Sequence, residues 1–254
     1  MILTKNKDLK AKISAKRRNY KSLVLISLNC KIHDYQLKII NLRTLLQNRY
    51  AAKHYDKNAV IDDKIIENIL QCAVLTPSAL NLQPWAFFLI KGQTQKEKFA
   101  RAVKEFNLQR YMDAYAAIVI ASKAALTKDD VMEVCLQEQK DGRFESEEDF
   151  KQRYEHILRS VDAHNKNGTM STWCAKQTYI ALATIIYAAQ ANGIDCTPLE
   201  GIDRLAADDI LNLKAQNLRT QSVVLLGKAA LDDSNSLKLR PKSRFNTIKT
   251  PIFK

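Results

Sequence analysis

The chain has 254 residues, 46% of them apolar and 26% charged, the balance of a globular protein of one large domain or two small ones rather than a disordered or fibrous chain. No stretch reaches the roughly 18 uncharged apolar residues that a spanning helix needs, so no membrane partner is expected. The formal charge of +13 is concentrated, because ten basic residues and only two acidic ones fall within residues 1–40. The mildly basic remainder suits an anionic cofactor better than nucleic acid, and no nucleic-acid partner is expected.

Residues 1–39 read as a basic N-terminal extension and residues 40–254 as the functional domain. The extension carries a Lys-rich start and the apolar run Ser22–Leu28, followed by Asn29-Cys30. That run is short for a signal peptide, and Asn29 is wrong for a cleavage site. A basic docking arm and an upstream extension or mis-assigned start remain as readings.

From about residue 36 the pattern is α+β. Leu37, Ile40, Leu42, Leu45 and Leu46 fall near helical spacing. Asp62 and Asp63 can cap a helix whose stripe is Ile65, Ile66, Ile69, Leu70, Ala73 and Val74. Thr76-Pro77-Ser78 ends it. Trp85–Ile90, Ala116–Ala121 and Ser222–Leu226 read as strands, with a weaker one at Ile194–Leu199. Polar helices are predicted over roughly 127–140 and 146–166, and then a helix over Ser171–Ala191 that is apolar or small nearly all round. Such a helix is expected to be buried on every side, and its Ala- and Thr-rich faces suit close packing at a homodimer interface.

The five cysteines lie at least 22 residues apart with no C-x-x-C pair, the usage of a reducing compartment, and a cytoplasmic location is expected. The four histidines include no H-E-x-x-H, so no metal site is expected. The six glycines match neither the dinucleotide-binding, the P-loop nor the nucleophile-elbow pattern.

Three clusters carry possible chemistry. Arg49-Tyr50-Ala51-Ala52-Lys53 puts a planar fork and a point charge just after a helix, a pair suited to an anion, although taken alone it also reads as two solvated surface cations. Pro77-Ser78-Ala-Leu-Asn81-Leu-Gln-Pro-Trp85 offers hydroxyl and amide groups for the polar edge of a ring, or forms a structural turn. Pro198-Leu-Glu200-Gly201 can present a backbone N–H, and Pro241-Lys242-Ser243-Arg244 can close on a phosphate.

Taken in order with Asp141-Gly-Arg143-Phe144, these motifs resemble the nitroreductase family over about residues 40–250, nearest to the oxygen-insensitive NAD(P)H nitroreductases also described as dihydropteridine reductases. The resemblance implies a three-layer α+β fold, a central mostly antiparallel sheet flanked by helices, and an intertwined homodimer with FMN at the subunit interface. It implies that Arg49, Lys242 and Arg244, with Ser243 beside them, hold the FMN phosphate, in a segment where Tyr50 and Ala51 also line the cofactor. Lys53 would lie at the N1/O2 edge of the ring, where a fixed cation favours the reduced form. Asn107 would contact the pyrimidine edge, Pro198 would pack under the ring and the Glu200-Gly201 backbone would donate to N5. Pro77, Ser78 and Asn81 would come from the other subunit.

The same resemblance implies an oxidoreductase that takes hydride from NADPH or NADH and reduces nitroaromatics, quinones or similar acceptors by two-electron ping-pong transfer. Lys53, Arg110 and Arg143 would steer the dinucleotide, and no side chain is assigned as a catalytic acid or base. The alternatives are a dihydropteridine or flavin reductase on the same scaffold and, in a different class, an anionic-polymer binder acting through the basic arm. Ala51 departs from the Ser frequent in relatives, a loss of about 1 kcal/mol of phosphate contact. Between Phe144 and Trp173 no clear aromatic pair stands over the acceptor.

Overall fold

A computed structural model describes residues 41–245 and 247, and the described residues from Leu42 onward fall in one compact unit. The N-terminal extension, and with it Leu37 and Ile40, lies outside the described residues. Eight α-helices and four strands occur among the described residues, in the order α1 (Leu42–Asn48), α2 (Asp63–Val74), β1 (Trp85–Lys91), α3 (Gln93–Ala100), α4 (Glu105–Asp113), β2 (Ala116–Lys123), α5 (Lys128–Lys140), α6 (Glu147–Lys166), α7 (Met170–Ala191), β3 (Asp195–Leu199), α8 (Arg204–Ile210) and β4 (Leu218–Gly227).

The strands form one antiparallel sheet in the order β1-β2-β4-β3, with a register shift between Ile120 and Ala121. Because successive side chains in a strand point to opposite faces, β2 and β4 feed two cores. Ala117, Val119, Val223 and Leu225 pack with Phe99 of α3, Tyr111 of α4 and Ala207 of α8. Ile118, Ile120, Val224 and Leu226 pack with Ile66, Ile69 and Ala73 of α2 and with Leu182, Ile185 and Ala189 of α7. The expected three-layer fold is therefore present, and a strand apolar on both faces is what a sheet covered on both sides requires.

Local signals act where the sequence placed them. Asp62 caps α2, accepting from the Lys64 N–H. Thr127 and Asp130 form a capping box at α5, and Ser146 caps α6. Helices α5 and α6 make a satellite core with the start of α7 through Val131, Cys135, Ile157, Val161 and Cys174.

Within a single chain helix α7 is covered on one side only: Ala181, Ile185 and Ala189 are buried, whereas Tyr179 and Ile180 on another face are 40% and 43% exposed. Helix α3 carries too few apolar residues for periodicity to reveal it, and α4 and α8, at nine and seven residues, are too short for an apolar stripe to repeat. In α3 only Phe99 and the stem of Lys96 are buried, with the Lys96 ammonium donating to the carbonyls of Met112 and Ala114, at 2.6 Å each, at the end of α4.

Candidate active site

Leaving α1, the chain runs extended beside β3. Ala51 bridges Cys196, the Thr197 hydroxyl donates to the Ala52 carbonyl at 2.7 Å, and the Tyr55 hydroxyl donates to Thr197 at 2.8 Å. Beyond β4 the chain returns along the other side of this segment. Ala230 N–H donates to the His54 carbonyl (3.0 Å), the Asn235 side-chain amide to the Ala51 carbonyl (2.8 Å), and Lys53 N–H to the Asp233 carboxylate (3.1 and 3.2 Å). Residues 51–54 are thus hydrogen-bonded on both sides, which fixes the backbone of Lys53 and leads back to Arg49 at the end of α1.

The terminal motif closes on the same segment. The Lys242 ammonium donates to the Arg49 carbonyl, and the Arg49 Nε is buried with no hydrogen-bond partner. Burial, then the neighbouring charges of Arg49 and Arg244, push the Lys242 amine below its ordinary range. Three cations therefore share one place, and none of them forms an ion pair with a carboxylate among the described residues. Ser243 and Arg244 remain exposed.

A second arm of the site comes from α4 and the turn after β3. Asn107 is 3% exposed; its amide donates to the Gly201 carbonyl at 3.1 Å, and its oxygen accepts from the Arg110 guanidinium at 3.1 Å. Gly201 is required by this approach, because a Cβ there would stand 2.4 Å from the Asn107 amide nitrogen. Pro198 is half-buried on β3 opposite Val224, and Glu200 accepts from the Tyr179 hydroxyl at 2.8 Å. The two arms meet at Lys53. Burial and then Arg110 lower its pKa, Asp233 opposes them, and Arg240 adds to the lowering. Burial, Asp195 and Asp233 raise that of the Tyr50 phenol.

The remaining candidates lie apart. Pro77 is exposed, the Ser78 hydroxyl accepts from the Gln83 N–H at 2.8 Å, and the Asn81 amide donates to Glu138 at 3.1 Å. Leu80, Asn81 and Gln83 all adopt positive φ, so this loop is a constrained turn. Arg143, expected beside Lys53 and Arg110, instead lies 3.7 Å from Glu138, which Arg153 grips with two bonds of 2.9 and 3.0 Å. Within one chain Arg143 belongs with Asn81 and not with the first group, because the turn after α5 carries it to that end of the fold. Sequence reasoning missed Asp233, Asn235 and Arg240, which look like ordinary polar loop residues until the return strap is folded onto residues 51–54.

The nitroreductase family model matches residues 46–228. The chain is 28% identical over 200 residues to an oxygen-insensitive NAD(P)H nitroreductase of Enterobacter cloacae, covering 77% of this chain and 91% of that one. It is 26% identical over 204 residues to the major NAD(P)H-flavin oxidoreductase of Aliivibrio fischeri, covering 78% and 92%. The fold is also that of a candidate nitroreductase from Exiguobacterium sibiricum solved in complex with FMN, with a TM-score of 0.63 at 16% identity over 84% and 94% of the two chains. With the family model covering most of the chain and the motif residues gathered as described, the chain belongs to the nitroreductase family of oxidoreductases.

Proposed function

We propose that this chain is an FMN-dependent NAD(P)H oxidoreductase that passes two electrons to nitroaromatics, quinones or similar acceptors. The observation that carries the reading is the gathering of Arg49, Lys242 and Arg244, with a buried guanidinium nitrogen left without a partner. A buried donor without an acceptor costs about 1–3 kcal/mol, and clustered cations repel, so the site is arranged for an anionic oxygen. A flavin phosphate meets that need, and the residues fit the cofactor.

In this reading Arg49, Lys242 and Arg244 hold the phosphate, with Ser243 beside them. Tyr50 and Ala51 line the path toward the ring, Lys53 places a cation at its N1/O2 edge, and Asn107 faces its pyrimidine edge. Pro198 packs beneath the ring, and the Glu200-Gly201 backbone donates to it. Bound FMN would supply the hydride acceptor and donor chemistry. Lys53 and Arg110 then offset the negative charge that arrives with the electrons and steer the dinucleotide. Arg143 would join them only from a second subunit. The donor and the acceptor occupy one place in turn, a ping-pong cycle, since the sequence carries no dinucleotide fingerprint for a separate cofactor domain.

The uncovered face of α7 and the separate placement of Pro77, Ser78, Asn81 and Arg143 support a homodimer in which each site takes residues from both chains. We assign residues 40–254 to this domain and residues 1–39 to an extension, in a cytoplasmic protein. No helix among the described residues is long and apolar enough to cross a membrane. A dihydropteridine or flavin reductase on the same site is the second reading, favoured by the flavin oxidoreductase relative. Anaerobic addition of NADPH or NADH to the purified protein tests the proposal. Flavin absorption that bleaches supports it, and a colourless protein that cannot be reconstituted with FMN refutes it.

A further inference from the structure

The strap after β4 contains a group that the cofactor contacts proposed above do not use. Asp233 is fully buried, and no cation comes within ion-pair distance of it among the described residues. Its three hydrogen bonds come from backbone, two from the Lys53 N–H at 3.1 and 3.2 Å and one from the Asn235 N–H at 2.9 Å. An unpaired buried carboxylate is expensive to keep. Holding the strap does not require it, because residues 51, 54 and 56 are already tied to the strap by Asn235, Ala230 and Lys228. Within the strap the Asp233 carboxylate accepts only the Asn235 N–H; across to residues 49–55 its hydrogen bonds go to Lys53 alone, as an anchor on that backbone with a negative charge close by.

We propose, resting on the FMN reading, that Asp233 is a positioning residue of the redox site, which fixes the backbone of Lys53 and holds a countercharge there so that the Lys53 ammonium stays placed against the flavin edge. The groups facing Lys53 agree. Burial, Arg110 and Arg240 all disfavour its charged form, and Asp233 opposes them. Asp233 also faces the phenols of Tyr50 and Tyr55, with Asp195 as a second acid at both. Removing a carboxylate near a flavin directly would make reduction easier, because one repelling charge is gone. Acting through Lys53, the same removal makes reduction harder, because the cation that stabilises the reduced ring is no longer held in place against it. The two routes differ in sign.

The test is a double-mutant cycle on the FMN-loaded protein with Asp233→Asn, Lys53→Ala and the pair, reading the flavin midpoint potential and the FMN dissociation constant of the stripped protein. The expected result is a more negative potential and binding weakened about tenfold in Asp233→Asn, with no further shift of potential when the substitution is made on Lys53→Ala. A potential that rises or does not move, or an equal shift in both backgrounds, overturns the proposal. Should Asp233→Asn fail to fold, Asp233→Ser leaves room for water at the amides and is read the same way. A wild-type chain that takes up no FMN overturns the underlying reading, and shows itself before any substitution is made.

Discussion

Gly201→Ala tests the geometry of the site without touching a charge. A Cβ at residue 201 would stand 2.4 Å from the Asn107 amide nitrogen and 2.8 and 2.9 Å from two Phe106 ring carbons. The Phe106 ring is 75% exposed and can turn away at little cost. Asn107 has no such freedom, being buried and bonded at both ends, to the Gly201 carbonyl and to Arg110. Making room therefore means giving up those two bonds, one of them to a cation, at about 2–3 kcal/mol together. For a chain of this size each kcal/mol moves the melting temperature by roughly 2–4 °C, so a fall of about 4–12 °C is expected. Thermal unfolding followed by circular dichroism measures it, and FMN titration should show weaker binding, since Arg110 is released as well. An alanine variant that melts with the wild type and binds FMN equally would refute the claim that this turn, Asn107 and Arg110 form one rigid unit.

The other expectations concern separate parts of the fold. Arg244→Ala should lower FMN content after purification by roughly tenfold or more in affinity, the loss of one charge-assisted phosphate contact, and unchanged occupancy would contradict that role. At Glu138, burial pushes the carboxyl up, but the Arg153 fork and the Asn81 amide outweigh it and hold the pKa below its ordinary 4.5. The stability this contributes is fully present above that ordinary value and is lost as pH falls through the lower native one, so acid unfolding of Glu138→Gln should be shallower than that of the wild type. Glu138→Ala, which leaves Arg153 unpaired, should lose about 3–5 kcal/mol in urea unfolding at neutral pH, and a wild-type midpoint would show the pair to be incidental. Ile180→Arg places a charge on the uncovered face of α7; sedimentation should then show a monomer with depleted FMN, and an intact, fully loaded dimer would remove that face from the interface.

How much of this was legible in the sequence depended on how far each signal had to travel. Asp62 and Thr127 cap helices within three residues of themselves, and β2 is apolar on both faces whatever surrounds it, so these elements stood out. Helix α3 buries only Phe99 and a lysine stem, and its Lys96 ammonium finds its acceptors at the end of α4 and just past it, 16 and 18 residues away, a pattern that periodicity cannot see. The apolar girth of α7 was visible in the sequence, and a single chain covers only one face of it, so what covers the other face is not written in the composition of one chain.

The site divides in the same way. Arg49, Lys53, Lys242 and Arg244 were found because motif order matched a family, not because anything near them in the chain marked them out. Asp233 was missed for the complementary reason: its meaning lies in a bond to a backbone N–H 180 residues earlier, and a backbone N–H leaves no trace in a sequence. Asn107 and Gly201 are separated by 94 positions, yet each explains the other, the glycine by the close approach and the asparagine by the carbonyl it bonds. Side chains that meet a ligand can be recognised by type and spacing. Groups that hold those side chains in place are recognised only by their partners, and in this fold those partners lie across the junction between residues 49–55 and the strap that follows β4.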